Sequence, residues 1–395
     1  MVDVTTSYAG PIATMYLGDM GAEVIKVERP VRGDDTRGWG PPFVGGESAW
    51  YLSANRNKRS VCIDLRSPDG MAVLGSLLET ADVFIESFNP AKLEGLGLAP
   101  DAIRERFPRL IYCAMSGFGL DGPDRELPGY DLVAQARSGM MSVTGEHGRM
   151  PQRVSTALSD VVAGTVAAFA IAAALRRQAL TEEGDVIDVG LLDADLSLMA
   201  PRIGSFLAGE PEPKPSGAMD SVLAVYQPFE TADRPIVVAV GNDAMWRRMC
   251  EVIGRPDLAA DPGLATNADR RERRAEVIEA IAERLRERPA AEWLAALAQA
   301  AIPSAPIQFL SDVTGDPQVR ARRSIRAMDH PGGGEIEVVA SPWRLTSDAG
   351  APPMRAAPWL GADTVDVLAE AGYSEDRIAE LIEGGAVWST SVPAA

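Results

Sequence analysis

Asp160 stands near the head of an alanine-rich run, STALSDVVAGTVAAFAIAAALRRQ, which spans residues 155–178 and ends in two arginines and a glutamine. A carboxylate in that position has two uses. It can accept hydrogen bonds from the free N–H groups of a first helical turn and suit the positive end of the helix dipole. It can also act, when ionised, as a nucleophile toward an activated acyl group. The local pattern is fully accounted for by a cap, so the choice depends on residues elsewhere.

Other constellations are weaker. Gly117, Gly119 and Gly122 in SGFGLDGP match GxGxxG after a strand-like run, but PDRELPGY follows where a dinucleotide site needs a helix N-terminus. His147 and His330 are the two histidines, neither sits in a local motif, and no GxSxG elbow occurs, which argues against a Ser-His-Asp arrangement. Cys62, Cys113 and Cys250 are far apart with no CxxC pair, so we expect reduced buried thiols and no metal site. Between Lys26 and Arg66 lie eight basic and five acidic side chains, an excess suited to a small polyanion in a chain whose formal charge is −18. A solvated loop of mixed charge accounts for the same composition.

These residues need elements to hold them. VDVT, AEVIKVE, RSVCIDL, ADVFIES and RLIYCAMS read as strands; helical segments open at Gly10-Pro11, Pro68 and Pro100. Strands alternating with helices predict an α/β fold, Rossmann-like, with a mostly parallel sheet covered on both faces. After the Ala-rich helix, VIDVGLLDADLSLMA reads as another strand and helix. A Pro- and acid-rich linker at 206–222 then separates residues 1–205, the first part of the large domain, from a smaller α+β domain at 223–315. The segment 316–395 reads as β-rich and then helical. The basic run RRERR at 270–274 reads as a solvated helix face.

At 395 residues the chain is long enough for two cores. Its acidity argues against nucleic acid and anionic membrane as partners. The apolar stretch Val161 to Leu175 is shorter than a bilayer crossing and the N-terminus lacks a leader pattern, so a cytoplasmic location is expected.

The order and wording of eight segments carry a sharper signal. They are AGPIATMYLGDMGAEVIKVE (9–28), RGDDTRGWGPPF (32–43), NRNKRSVCIDLRSPDG (55–70), ADVFIESFNP (81–90), SGFGLDGP (116–123), PGYD (128–131), SDVVAG (159–164) and VIDVGLLDA (186–194). Together they resemble the class III CoA-transferase family, which includes formyl-CoA transferases, carnitine CoA-transferases and alpha-methylacyl-CoA racemases. Ser87, where Asn is usual, and LGADT at 360–364, which lacks a common His, depart from the family pattern.

The resemblance implies that Asp160 is the nucleophile, forming an acyl-aspartyl anhydride and then an aspartyl-CoA thioester, with Tyr8 and Asp131 beside it. It implies that Arg29, Ile63, Arg66, Ser87, Phe88 and Tyr130 bind coenzyme A, which enters as a thioester substrate, with no tightly bound cofactor. A small carboxylic acid is the expected co-substrate, and the expected assembly is an interlocked homodimer. The return of segment 316–395 to the large domain is likewise implied only by this resemblance. Two rivals remain at this point. A 2-methylacyl-CoA racemase or epimerase needs an acid and a base on opposite sides of the α-carbon, but such racemases carry His where this chain has Tyr130. A catalytically silent CoA-binding protein would use Asp160 only as a cap.

Overall fold

The computed structural model describes residues 1–330, 332, 334–346 and 354–390. The chain divides into two compact units. One comprises Met1–Met140, Arg153–Pro211 and the chain from Arg320 onward; the other comprises Met141–Gln152 and Glu212–Val319. Residues 141–152, which the sequence reading placed within the large domain, form a turn closed by Gln152 N–H on the Thr144 carbonyl. The Gly145 carbonyl accepts the Gly217 N–H, which ties that turn to the smaller unit.

The large unit is built on a seven-stranded sheet. Its strands are Val2–Asp3 (β1), Val24–Glu28 (β2), Lys58–Ile63 (β3), Val83–Glu86 (β4), Ile111–Ser116 (β5), Val186–Gly190 (β6) and Val387–Trp388 (β7). Their spatial order is β7-β3-β2-β1-β4-β5-β6, and every pairing is parallel except that of β7 on β3. Val- and Ile-rich strands buried on both faces are what such a sheet requires. Period-two alternation divides the core: Phe84 and Tyr112 pack on one face with Leu74 and Leu381, Ile85 and Cys113 on the other with Ala163 and Ile171.

Strand order reverses between β1 and β4. In a doubly wound sheet the crevice beyond the carboxyl ends of that strand pair is where ligands bind. The helices that matter there are Ala9–Asp19 (α1), Pro90–Leu96 (α2), Asp131–Arg137 (α3), Leu158–Thr181 (α4) and Leu191–Leu207 (α5). At 24 residues, α4 runs beyond the apolar stretch expected from sequence and is long and apolar enough to cross a membrane. In this fold it lies against the sheet, burying Ala163, Ala167 and Ile171. Gly164 makes the close approach to α1 possible, because a Cβ there would sit 2.5 Å from the Ala9 carbonyl oxygen.

A hairpin, Ile325–His330 with Gly334–Val339, and two helices, Thr364–Glu370 and Glu375–Glu383, complete the described part of the large unit's C-terminal portion. In the smaller unit, Ile236–Ala239 pairs antiparallel with both Tyr226–Phe229 and Ser304–Pro306. Helices cover that sheet through a core including Trp246, Leu285 and Trp293. The basic run is not a solvated face throughout: Arg270 is 2% exposed. It donates to the Leu264 and Ala265 carbonyls and to Asp243, so it closes a turn instead of facing solvent.

Candidate active site

Two cavities open at the reversal point. The larger, about 680 Å³, is lined by Arg29, Arg32, Ile63, Arg66, Ser87, Phe88 and Lys92 among others. The smaller, about 250 Å³, has Asp160, Ser7, Ser116, Gly117, Gly129 and Tyr130 in its wall. Thr6, Ser87, Phe88 and Asn89 line both, so these four residues form a shared wall; the larger chamber sets Arg29, Arg32, Arg66 and Lys92 among Glu28, Asp34, Asp35 and Asp64, and the smaller holds Asp160 and Arg125. They follow the carboxyl ends of β1 and β4, and the Thr6 N–H donates to Ser87 Oγ at 3.1 Å, which joins the two strand ends.

Asp160 lies in the first turn of α4, whose N-cap residue, Ala157, contributes no side-chain bond. The side chain that caps this helix comes from elsewhere. Asp131, in the first turn of α3, accepts the Ser159 N–H at 2.8 Å, and Gln135 Nε2 fixes its other oxygen at 2.8 Å. Ser159 Oγ donates to Asp195 Oδ2 at 2.8 Å. Among the described residues no hydrogen bond or ion pair engages the Asp160 carboxylate. Burial first, then the charges of Asp131 and Asp195, push its pKa up to about 7. An unengaged carboxylate of raised basicity in a cavity wall has the character of a nucleophile.

The two other residues expected to be catalytic lie off the cavity. Asp131 is behind α4, positioning the turn that carries Asp160. Tyr8 precedes α1, yet its side chain faces a separate cavity of about 390 Å³ with Ile12, Met15, Leu52 and Val161. Its ring meets Trp50 edge-on at 5.2 Å and its hydroxyl bonds Ser53 Oγ at 3.0 Å. Burial, opposed by the Ser53 bond, raises the phenol above the ordinary tyrosine range, so it stays protonated.

All six expected CoA contacts lie on the cavity walls, in different states. Ile63 is a core residue, 1% exposed, while Phe88 is partly buried against the same core. Tyr130 is 54% exposed at the mouth of the smaller chamber. Arg66 forms a two-pronged pair with Asp64 at 2.9 Å, and Arg29 bonds Asp35 and the Gly33 carbonyl. Counting charges had overstated the basic field. Lys26, Arg37, Arg56 and Lys58 pair internally with Asp34, Glu28, Asp19 and Asp3. The sequence reading missed Lys92, whose ammonium lies 4.1 Å from the Phe88 ring centroid; its place in α2, three residues past the Asn89 cap, was the available signal.

The glycine decoy has a structural explanation. A Cβ on Gly129 would sit 2.3 Å from Gly117 Cα, so the two backbones touch where the SGFGLDGP and PGYD segments cross. Gly119 donates its N–H to Ser116 Oγ at 2.8 Å, and Leu120 donates to Asp188 at 2.8 Å. These glycines shape a cavity wall instead of cradling a pyrophosphate.

Residues 1–364 match the sequence model described as CoA-transferase family III. The chain belongs to that family. The transferase is 38% identical over 392 residues to human succinyl-CoA:glutarate CoA-transferase, covering 98% of this chain and 88% of the relative. It is 37% identical over 376 residues to succinate–glutarate CoA-transferase of Agrobacterium fabrum, covering 94% of each. Acetyl-CoA:oxalate CoA-transferase of Acetobacter aceti is 35% identical over 326 residues, 82% of this chain and 84% of that one. The crystal structure of a CAIB/BAIF family protein from Brucella suis superposes with a TM-score of 0.81 at 36% identity, covering 94% and 97% of the two chains. The transferase therefore moves CoA from an acyl-CoA thioester to a free carboxylic acid.

Proposed function

We propose that the transferase carries CoA from succinyl-CoA to a short dicarboxylic acid through covalent intermediates on Asp160. The observation that carries this reading is the unengaged Asp160 carboxylate in a chamber that shares a wall with the one lined by Arg29, Arg32, Arg66 and Lys92. The human and Agrobacterium fabrum relatives, a succinyl-CoA:glutarate and a succinate–glutarate CoA-transferase, support the substrate class.

Arg29, Arg66 and Lys92 bind the phosphates of CoA, with Phe88 and Tyr130 beside the adenine and Ser87 and Ile63 shaping the passage. An Asp160 oxygen attacks the thioester carbonyl, CoA thiolate leaves, and an acyl-aspartyl anhydride forms. Thiolate attacks the aspartyl carbonyl of that anhydride, releases the donor acid, and leaves an aspartyl-CoA thioester. The acceptor carboxylate attacks this thioester and expels thiolate, giving a second anhydride. Thiolate then attacks the acceptor's acyl carbon, which yields the new acyl-CoA and regenerates Asp160. Asp131 and Asp195 act from behind by keeping Asp160 basic.

The assembly is a homodimer in this reading. Phe169 is 76% and Leu207 77% exposed, and Leu180, Leu196 and Phe206 extend the exposed apolar surface of α4 and α5, more than a monomer usually leaves in water. The three buried free thiols fit a reducing, cytoplasmic setting. A panel of succinyl-, acetyl- and formyl-CoA against free acids tests the function. Fastest exchange from succinyl-CoA to C4–C6 dicarboxylates, lost in Asp160→Ala, is expected; preference for a monocarboxylate acceptor would refute the substrate class.

A further inference from the structure

The turn joining β1 to α1 contributes Thr6, Ser7, Ala9 and Gly10 to the Asp160 chamber. Within it, Ser7 has a φ of 69°, in the left-handed region that residues bearing a Cβ rarely occupy. Such a conformation persists only where surrounding structure enforces it. Here the enforcing contact is the Ser7 N–H donating to Asp34 Oδ1 at 3.2 Å.

Asp34 is itself tightly placed. It is 1% exposed. Its second oxygen meets Lys26 Nζ at 2.9 Å, with both side chains fully buried. Lys26 also donates to the Thr5 carbonyl at 3.0 Å, fixing the chain two residues before Ser7. Asp34 Oδ1 further accepts the Thr36 N–H at 2.9 Å and hydroxyl at 2.7 Å, and the Asp34 N–H donates to Glu28 at 2.9 Å. Burial would raise the Asp34 carboxyl, but Lys26 and Thr36 outweigh it and hold it below the ordinary range, so it stays ionised. Asp34 also lies in the wall of the larger chamber, while its Oδ1 holds the Ser7 N–H in the wall of the smaller one.

We propose that Asp34 is a positioning residue: anchored by Lys26, it holds Ser7 left-handed and thereby fixes the Thr6–Gly10 wall of the chamber that contains Asp160. The inference rests on reading that chamber as the site of acyl transfer. It deepens that reading by assigning a task to an acid that does not touch the reacting atoms.

Glycine adopts the left-handed conformation without strain, so it makes the test specific. Asp34→Ala is expected to lower kcat for CoA exchange by about 10- to 100-fold, with KM for the acyl-CoA changed less than about threefold. In the same background, Ser7→Gly is expected to recover about tenfold of that loss while leaving Tm near that of Asp34→Ala. A purely structural role for Asp34 would show no such coupling. If Asp34→Ala does not fold, the cycle is run with Asp34→Asn, which keeps an acceptor but removes the charge that Lys26 grips. An unchanged kcat in the Asp34 variant, or equal losses with serine and glycine at position 7, would overturn the proposal. Mapping the acylated residue by mass spectrometry on the same samples distinguishes the two failures: a label away from Asp160 refutes the function reading, whereas the Ser7–Asp34 coupling is read independently of it.

Discussion

The Asp131 carboxylate accepts the Ser159 backbone N–H at 2.8 Å, so an acid from a neighbouring helix clamps the residue that precedes Asp160. This contact answers the question left by the sequence, because the capping function of an acid at this helix start belongs to Asp131. It also brings a negative charge close to the proposed nucleophile. That nucleophile acts ionised, so kcat/KM should fall as pH drops through about 7. Replacing Asp131 with Asn removes a charge that opposes ionisation, so the midpoint of the acid limb should move to lower pH. The pH–rate profiles of the two proteins check this; an unmoved limb would separate Asp131 from the titration.

Stability should carry the same signature. The Asp160 pKa is about 7 in the fold against an ordinary 3.8, so the native state binds the additional proton between those values. Stability from this group therefore falls as pH rises through that window, and above it the ionised carboxylate is a net cost. Asp160→Asn removes that cost, and should stabilise the protein by on the order of 1–3 kcal/mol at pH 8 with little effect at pH 4. Thermal melts at both pH values measure the difference, and equal shifts would contradict it.

Much of the fold was readable from residue pattern. The Val- and Ile-rich runs became the parallel strands, and Pro68 and Pro100 each open a helix. The site was legible in part. Asp160 and the six expected CoA contacts reach the cavity walls because each follows a strand end or helix start that local pattern marks. Tyr8 lines a neighbouring cavity, close enough for the Asp160 charge to act on its phenol. Ser159 and Asp195 were missed because their importance comes from neighbours distant in sequence, whereas Lys92 had a local signal in its Asn89-capped helix. Charge counting failed where Lys26 and Lys58 find buried partners instead of solvent.

Binding of CoA should depend on the unburied bases of the larger chamber. Arg29→Ala or Lys92→Ala should raise KM for the acyl-CoA by about 3- to 30-fold with a smaller change in kcat, the pattern of lost uniform binding. Lys26→Met should instead leave KM near that of the wild type and lower both stability and kcat, since Lys26 is fully buried in the ion pair that anchors Asp34. Steady-state kinetics at several salt concentrations, paired with melts, separate the two classes.

The crossing of Gly117 and Gly129 should tolerate no side chain. Gly129→Ala would place a Cβ 2.3 Å from Gly117 Cα, so the SGFGLDGP and PGYD segments must separate. A loss of about 2–3 kcal/mol in stability and a lower kcat are expected, because both segments wall the Asp160 chamber. Denaturant unfolding checks the first, and a wild-type midpoint would contradict the crossing.

The most direct test is to find where the acyl group goes. The protein is incubated with succinyl-CoA, quenched with hydroxylamine or borohydride, digested, and mapped by mass spectrometry. A hydroxamate or alcohol at Asp160, absent from an inactive Asp160→Ala variant, is the expected result. An unmodified Asp160, together with transferase activity retained in Asp160→Ala, would contradict the account.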